Sequence, residues 1–331
     1  MKTLTVADAK EHIKLVIKEH LPVMLWGPPG IGKSSIIKEI TQELGWQIID
    51  LRLALLNPVD LRGLPIVNRE KGIAEWLPPE FLPRDGKGIL FLDEINAAPV
   101  SVQIAAYQLL LDRRVGNYVL PPAWRMIAAG NRESDKAHVN KLPSPLANRL
   151  VHLELKADVK GWKTWAMKAK LDPRVIGFID FKNDLLSTLP DNDQKAFPTP
   201  RSWEFVSKIL SIYPDVDEAK IMVEGAVGEG AAAELYAWLP TFSALPDALA
   251  ILQGKSSVVP KKADVLTALI TSLVSNLEVK YLPTFLDYTF KLQGEYAVLA
   301  VKEAISADWG DDLEKLPKWE AWADKYSDLI A

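Results

Sequence analysis

Between residues 22 and 155 short apolar runs alternate with segments of helical periodicity. The runs are PVMLW at 22–26, WQIIDLRL at 46–53, GILFLDE at 88–94, AWRMIAAGN at 123–131 and LVHLEL at 150–155, each bounded by turn-forming residues. Runs this short and this rich in Ile, Val and Leu suit strands buried on both faces of a parallel sheet. Residues 6–20 put Val6, Ile13, Leu15, Val16 and Ile17 on or near one helical face, and helical patterns recur at 33–44 and 99–113. Strand–helix alternation predicts a layered α/β domain over residues 1–155.

The pattern changes after Leu155. Residues 157–187, 200–213, 215–238 and 261–280 read as helices, and no strand-like run recurs. This predicts a helical domain over 156–255 and a further helical segment over 256–331. In the tail, Trp319, Trp322, Tyr326 and Leu329 fall at helical spacing, which favours packing onto the body over a partner-binding face.

Composition narrows the class. The chain has 331 residues, too many for one small core. At 48% hydrophobic and 25% charged it has the profile of a soluble globular protein. No apolar run reaches 18 residues, so no membrane span is expected. The charged N-terminus, MKTLTVADAKEHIK, does not resemble a signal peptide, which points to the cytoplasm. The absence of cysteine excludes disulfides and thiol chemistry. A net charge of −4 speaks against a general nucleic-acid binder.

The candidate chemistry sits at two strand ends. Gly27, Gly32, Lys33 and Ser34, within VMLWGPPGIGKSS, fit the phosphate-loop pattern G-x-x-x-x-G-K-S/T. Glycines let the backbone turn tightly so that its N–H groups face phosphate oxygens. Lys33 then reaches the β- and γ-phosphates, and Ser34 offers its hydroxyl to Mg²⁺. The following helix aims its positive end at the anion. The loop residues Pro28, Pro29, Gly30, Ile31 and Ser35 complete the expected cradle. About sixty residues downstream, an apolar strand delivers Asp93 and Glu94 at its carboxyl end, the edge where ligands bind in parallel α/β sheets. Asp93 is the expected Mg²⁺ holder and Glu94 the group that activates an attacking water.

GPPGIGKS followed by LFLDE resembles the AAA+ ATPases, and further stretches are similar to the MoxR-type group within them. NPVDLRGLP (Asn57–Pro65) resembles the segment after their second strand. AEWLPPEFLP (74–83) is similar to the lead into their Walker B strand, and GNYVLPPAWRMIAAGN to a hairpin and strand ending in the sensor 1 asparagine, here Asn131. SPLANRLVHLEL resembles their arginine-finger segment, which makes Arg149 the finger. FPTPRSWEFVSKIL resembles the start of their lid helix, which makes Arg201 sensor 2. By residue type alone Asn131 is a turn former and Arg149 a surface arginine, while Arg201 stands open between a solvated residue at a helix N-terminus and one that faces phosphate, since the helix dipole slightly disfavours a cation there.

The resemblance covers residues 1 to about 255. It implies a three-layer αβα domain with a five-stranded parallel sheet and an all-α lid. It also implies ATP and Mg²⁺ as cofactors, a homo-oligomer in the form of a hexameric ring, and a protein substrate or von Willebrand factor A-domain partner. The implied activity is that of a chaperone or activase driven by ATP hydrolysis. A nucleic-acid-directed motor, or a GTPase similar to McrB, stands as the alternative.

Other features read as structural. Trp162 and Trp165, three apart on a helix, suit the core of the lid, and GAVGEGAAA at 225–233 suits close helix packing. The paired arginines of DRRVGNY suit a solvated or inter-subunit role, and Arg132 stands open between roles. His12, His20, His138 and His152 show no metal-ligand spacing.

Overall fold

The computed structural model describes residues 2–135, 140–189, 194–243 and 245–330. The chain divides between Ala157 and Asp158 into two compact units.

The first unit holds ten strands: β1 (Thr3–Leu4), β2 (Val23–Trp26), β3 (Gln47–Arg52), β4 (Leu64–Asn68), β5 (Ile73–Leu77), β6 (Gly88–Asp93), β7 (Arg114–Val115), β8 (Tyr118–Val119), β9 (Trp124–Gly130) and β10 (Val151–Leu155). Its helices are α1 (Val6–Val16), α2 (Lys33–Leu44), α3 (Pro58–Arg62), α4 (Val100–Asp112) and α5 (Ser144–Ala147). Six strands form one parallel sheet in the order β1-β10-β2-β9-β6-β3.

Alternate strand residues face opposite sides of a sheet, and here both sides are covered. Val23, Leu25, Ile89, Phe91, Ile127 and Ala129 pack with Ile13 of α1 and Ile36, Ile37 and Ile40 of α2. Met24, Leu90, Leu92, Met126 and Ala128 pack with Val102, Ala106 and Leu109 of α4. The result is the expected αβα layering. Burial on both faces explains why the core strands are apolar without a polar alternation.

The sheet has six strands, one more than the five expected. The sixth, β1, is two residues long and pairs Thr3 with Glu154 and Leu4 with Leu155. So short a strand has no periodicity to read. A second feature absent from the sequence reading is the β4–β5 ribbon, an antiparallel pair that joins Leu64 to Leu77. Its Leu64, Ile66, Val67, Ile73 and Leu77 are all exposed. Apolar periodicity signals a strand because it normally signals burial, and these side chains are covered by nothing in their own unit. The smaller β7–β8 hairpin lies where a hairpin was expected.

The second unit is helical: α6 (Val159–Lys168), α7 (Pro173–Phe181), α8 (Pro200–Ile212), α9 (Lys220–Val227), α10 (Glu229–Ser243), α11 (Ala248–Leu252), α12 (Ala263–Ser275), α13 (Leu282–Thr289), α14 (Gly294–Ala304), α15 (Gly310–Glu314) and α16 (Trp319–Ile330). The single helix expected over 215–238 is two, broken at Gly228, whose φ is +84°. Phe178, Trp203 and Trp238 make its aromatic centre, with centroids 5.3 and 5.9 Å from that of Phe178. In the tail helix Trp322 and Tyr326 are buried while Leu329 is half exposed, so the apolar stripe packs inward. No helix among the described residues is long and apolar enough to cross a membrane.

A buried charge cluster joins helices from both sides of residue 256. Lys163 of α6 donates to Glu303 of α14 at 2.5 Å and to Asp180 of α7 at 2.8 Å. Thr271 of α12 lies 3.5 Å from the other Glu303 oxygen. Burial pushes the Glu303 carboxyl up from its ordinary range, and the Lys163 ammonium opposes that rise. Removing one partner of such a pair leaves a charge buried alone, whereas removing both does not. Lys163→Met should therefore cost about 3–5 kcal/mol in urea unfolding. The double variant Lys163→Met, Glu303→Leu should recover most of that loss.

Candidate nucleotide site

The site is built where β2, β6 and β9 end at the same edge of the sheet. β2 stops at Trp26, and the chain turns through residues 27–32 into α2. Gly30 and Gly32 take φ values of +75° and +103°, a region that side-chain-bearing residues rarely adopt. Gly32 is the N-cap of α2 and supplies no side-chain cap. The first-turn N–H groups of α2 are thus left to an anion, with the helix dipole in favour. Ile31 anchors the loop by packing into the α1–α2 side of the core. Pro28 is also buried, and Ser35 is exposed.

Lys33 is buried, and its ammonium donates to the Gly27 carbonyl at 2.6 Å, the Pro28 carbonyl at 3.1 Å and Asn131 Oδ1 at 2.8 Å. The Ser34 hydroxyl donates to Asp93 Oδ2 at 3.0 Å. Four of the expected site residues, drawn from three strand ends, are therefore in contact. Ser34 and Asp93 present only oxygen ligands, the donor set that suits Mg²⁺. Glu94 follows Asp93, whose Oδ1 accepts the Glu94 N–H at 2.9 Å. Glu94 is exposed and has a φ of +56°. Left-handed backbone at a residue other than glycine costs free energy and concentrates at functional sites.

Asn96 is the residue that the sequence reading passed over. It is almost fully buried, at 2% exposure. Its Nδ2 donates to the Asn131 carbonyl at 2.7 Å, and its Oδ1 accepts the Asn131 N–H at 3.3 Å. The Ile95 N–H adds a bond to the Ala129 carbonyl at 3.0 Å. The turn after β6 thereby grips the end of β9 and holds Asn131 toward Lys33. A Cβ on Gly130 would lie 2.4 Å from Asn96 Oδ1, so this approach requires glycine. An asparagine two residues past an acidic pair looks like a turn former. Only the spatial neighbour, 35 positions away, reveals its work.

Arg149 stands apart from this cluster. Arg149 is exposed on the turn between α5 and β10 and has no side-chain partner among the described residues. Val151 of β10 pairs in parallel with Val23 of β2, so Arg149 sits at the opposite sheet edge from the phosphate loop of its own chain. The four residues of β2 separate those edges by about 13 Å. Arg201 belongs to the second unit. It is exposed on the first turn of α8, just after Thr199, whose hydroxyl accepts the Ser202 N–H at 3.0 Å.

Arg132 and Arg113 have structural partners. Arg132 reaches Asp135 and Glu154 of its own chain, each at 2.7 Å. Its bonds to Asp135 hold the guanidinium pKa above its ordinary value. Arg113 donates to the Pro121 and Trp124 carbonyls, whereas Arg114 is exposed. His12 and His20 are exposed, and His138 lies outside the described residues.

Residues 23–154 match the model of the AAA family, described as the ATPase family associated with various cellular activities. The chain is similar to the replication factor C large subunit of Pyrobaculum calidifontis, 30% identical over 96 residues that make up 29% of this chain and 21% of that protein. It is similar to midasin of Dictyostelium discoideum, 30% identical over 144 residues, 40% of this chain and 2% of that protein. It is also similar to replication factor C subunit 2 of Saccharomyces cerevisiae, 43% identical over 77 residues, 21% of this chain and 22% of that protein. The chain spans less than a quarter of the length of each of these curated relatives.

The geometry predicts the worth of Asn96. Asn96→Ala leaves the N–H and carbonyl of Asn131 without those partners, and each unsatisfied group costs about 1–3 kcal/mol. Urea unfolding should show a loss of that size. Asn96→Asp, which sets a buried carboxylate oxygen against the Asn131 carbonyl, should lose at least as much.

Proposed function

We propose that this chain is an ATP-hydrolysing AAA+ machine of MoxR type, which couples turnover at subunit interfaces to the remodelling of a protein partner. The observation that carries the reading is the meeting of Lys33, Ser34, Asp93 and Asn131 at one sheet edge, with Glu94 beside them. In this reading the phosphate loop, residues Gly27 to Ser35, binds the triphosphate, with Lys33 on the β- and γ-phosphates. Ser34 and Asp93 would hold Mg²⁺, which neutralises charge on the phosphate oxygens when bound. Glu94 orients a water and accepts its proton, and the Asn131 amide holds that water or the γ-phosphate. Arg201 closes on the phosphates as sensor 2.

Arg149 acts on the nucleotide of a neighbouring subunit. Its exposure, its lack of a partner among the described residues and its place at the far sheet edge all support a role in trans. That role makes the working form a homo-oligomer, proposed as a hexameric ring. Adenine over guanine rests on the resemblance, as does a von Willebrand factor A-domain partner. The β4–β5 ribbon and the β7–β8 hairpin are the parts proposed to pass motion to a protein substrate. The exposed apolar side chains of the ribbon support that use, because patches of this kind mark interaction sites.

A second reading, a nucleic-acid-directed motor, draws on the similarity to two replication factor C subunits. The acidic net charge of −4 weighs against it.

Glu94→Ala should abolish ATP turnover while leaving nucleotide binding intact, and undiminished turnover would remove Glu94 from the mechanism. Arg149→Ala should lower the rate by about 10³–10⁵ if it is a finger. Mixing Glu94→Ala chains with Arg149→Ala chains should restore part of the activity, since some interfaces then pair an intact glutamate with an intact arginine. Stimulation of turnover by DNA would favour the second reading, and turnover of GTP over ATP the guanine-specific form.

A further inference from the structure

His152 lies outside the catalytic assignments above, yet both of its ring nitrogens are engaged. Trp26 Nε1–H donates to His152 Nδ1 at 2.8 Å. The rings are within 7° of parallel, with centroids 6.0 Å apart, so the imidazole lone pair points at the indole N–H. Because Nδ1 accepts, the ring proton is on Nε2, which donates to the Ala147 carbonyl at 2.7 Å. That carbonyl also accepts the Leu150 N–H at 3.3 Å. It therefore closes the turn, Asn148–Leu150, that carries Arg149.

The two ends of this chain of bonds lie at opposite edges of the sheet. Trp26 is the last residue of β2, next to Gly27 of the phosphate loop, whereas Ala147 precedes β10. In register Trp26 stands opposite Glu154, and His152 opposite Met24. Trp26 and His152 are thus diagonal neighbours, and their side chains reach along the sheet where the strands themselves run straight. A second brace lies beside the first. Glu154 holds Arg132, the residue after Asn131, at 2.7 Å.

We propose that His152 is a positioning residue that links the phosphate loop of one subunit to the arginine which that subunit presents to its neighbour. When nucleotide orders residues 27–32, Trp26 is fixed with them. The shared imidazole then holds the Arg149 turn in one orientation. The geometry of this link stands by itself, but its consequence for turnover rests on Arg149 acting as a finger.

Trp26→Phe keeps an aromatic ring and removes only the N–H. His152→Phe removes both bonds. Amide hydrogen exchange on the full chain, with and without a non-hydrolysable ATP analogue and Mg²⁺, reads the link directly. In the wild type, the analogue should slow exchange at Asn148–Leu150, and this slowing should vanish in Trp26→Phe. Exchange there that ignores nucleotide in the wild type, or slows equally in Trp26→Phe, overturns the link. Thermal unfolding identifies a variant that has lost its fold, and His152→Gln, which can both donate and accept, should restore the slowing.

Steady-state turnover reads the consequence. His152→Phe should lower kcat about five- to tenfold, the worth of the lost hydrogen bond to the Ala147 carbonyl that orients the Arg149 turn, with KM unchanged. In an Arg149→Ala background it should cause no further loss, and an additive loss overturns the positioning role. If Arg149→Ala turns over like the wild type, the finger assignment fails, while the exchange data still decide the link.

Discussion

Strand β2 is hydrogen-bonded along both edges, to β10 on one side and β9 on the other, and the site depends on that double parallel pairing. Parallel register places the carboxyl ends of β2, β6 and β9 at one edge, so the phosphate loop, Asp93 and Asn131 converge although they lie far apart in the chain. The same register sends the residues that precede β10 to the other edge. One constraint therefore gathers Lys33, Ser34, Asp93 and Asn131 and separates Arg149 from them.

Convergence alone does not set the geometry of the edge. Strand ends leave backbone groups unpaired, and here Asn96 takes up those of Asn131 while the Ile95 N–H bonds the Ala129 carbonyl. Lys33 then spans from the loop carbonyls to the Asn131 side chain. Glu94, at a φ of +56°, stores backbone strain in the same turn. The surrounding bonds hold a conformation that the glutamate by itself would leave.

Much of this was legible in the chain. The central strands β2, β6 and β9 could be read because they are buried on both faces and so have short, mostly apolar runs, and β3 and β10 because they keep Ile, Val and Leu between their polar residues. The phosphate loop and the acidic pair could be read because their chemistry demands particular residue types at fixed spacing. The short strand β1 and the β4–β5 ribbon could not. The first has two residues and no period, and the second has apolar side chains that nothing in its own unit buries. The break at Gly228 was hidden inside an otherwise continuous helical pattern.

The sequence by itself determined which residues can do chemistry, since a glycine loop, a lysine and an acidic pair have few other uses in such an order. It determined the layered class as well, because the period of the apolar positions is a local property. Tertiary structure alone decided which of those residues meet. That Asn96 clamps Asn131, that Arg132 serves its own subunit, and that His152 joins Trp26 to the Arg149 turn all depend on strands 20 to more than 120 residues apart in sequence. Pairing between distant strands is set by the packing of both sheet faces at once. No single stretch of sequence carries that information.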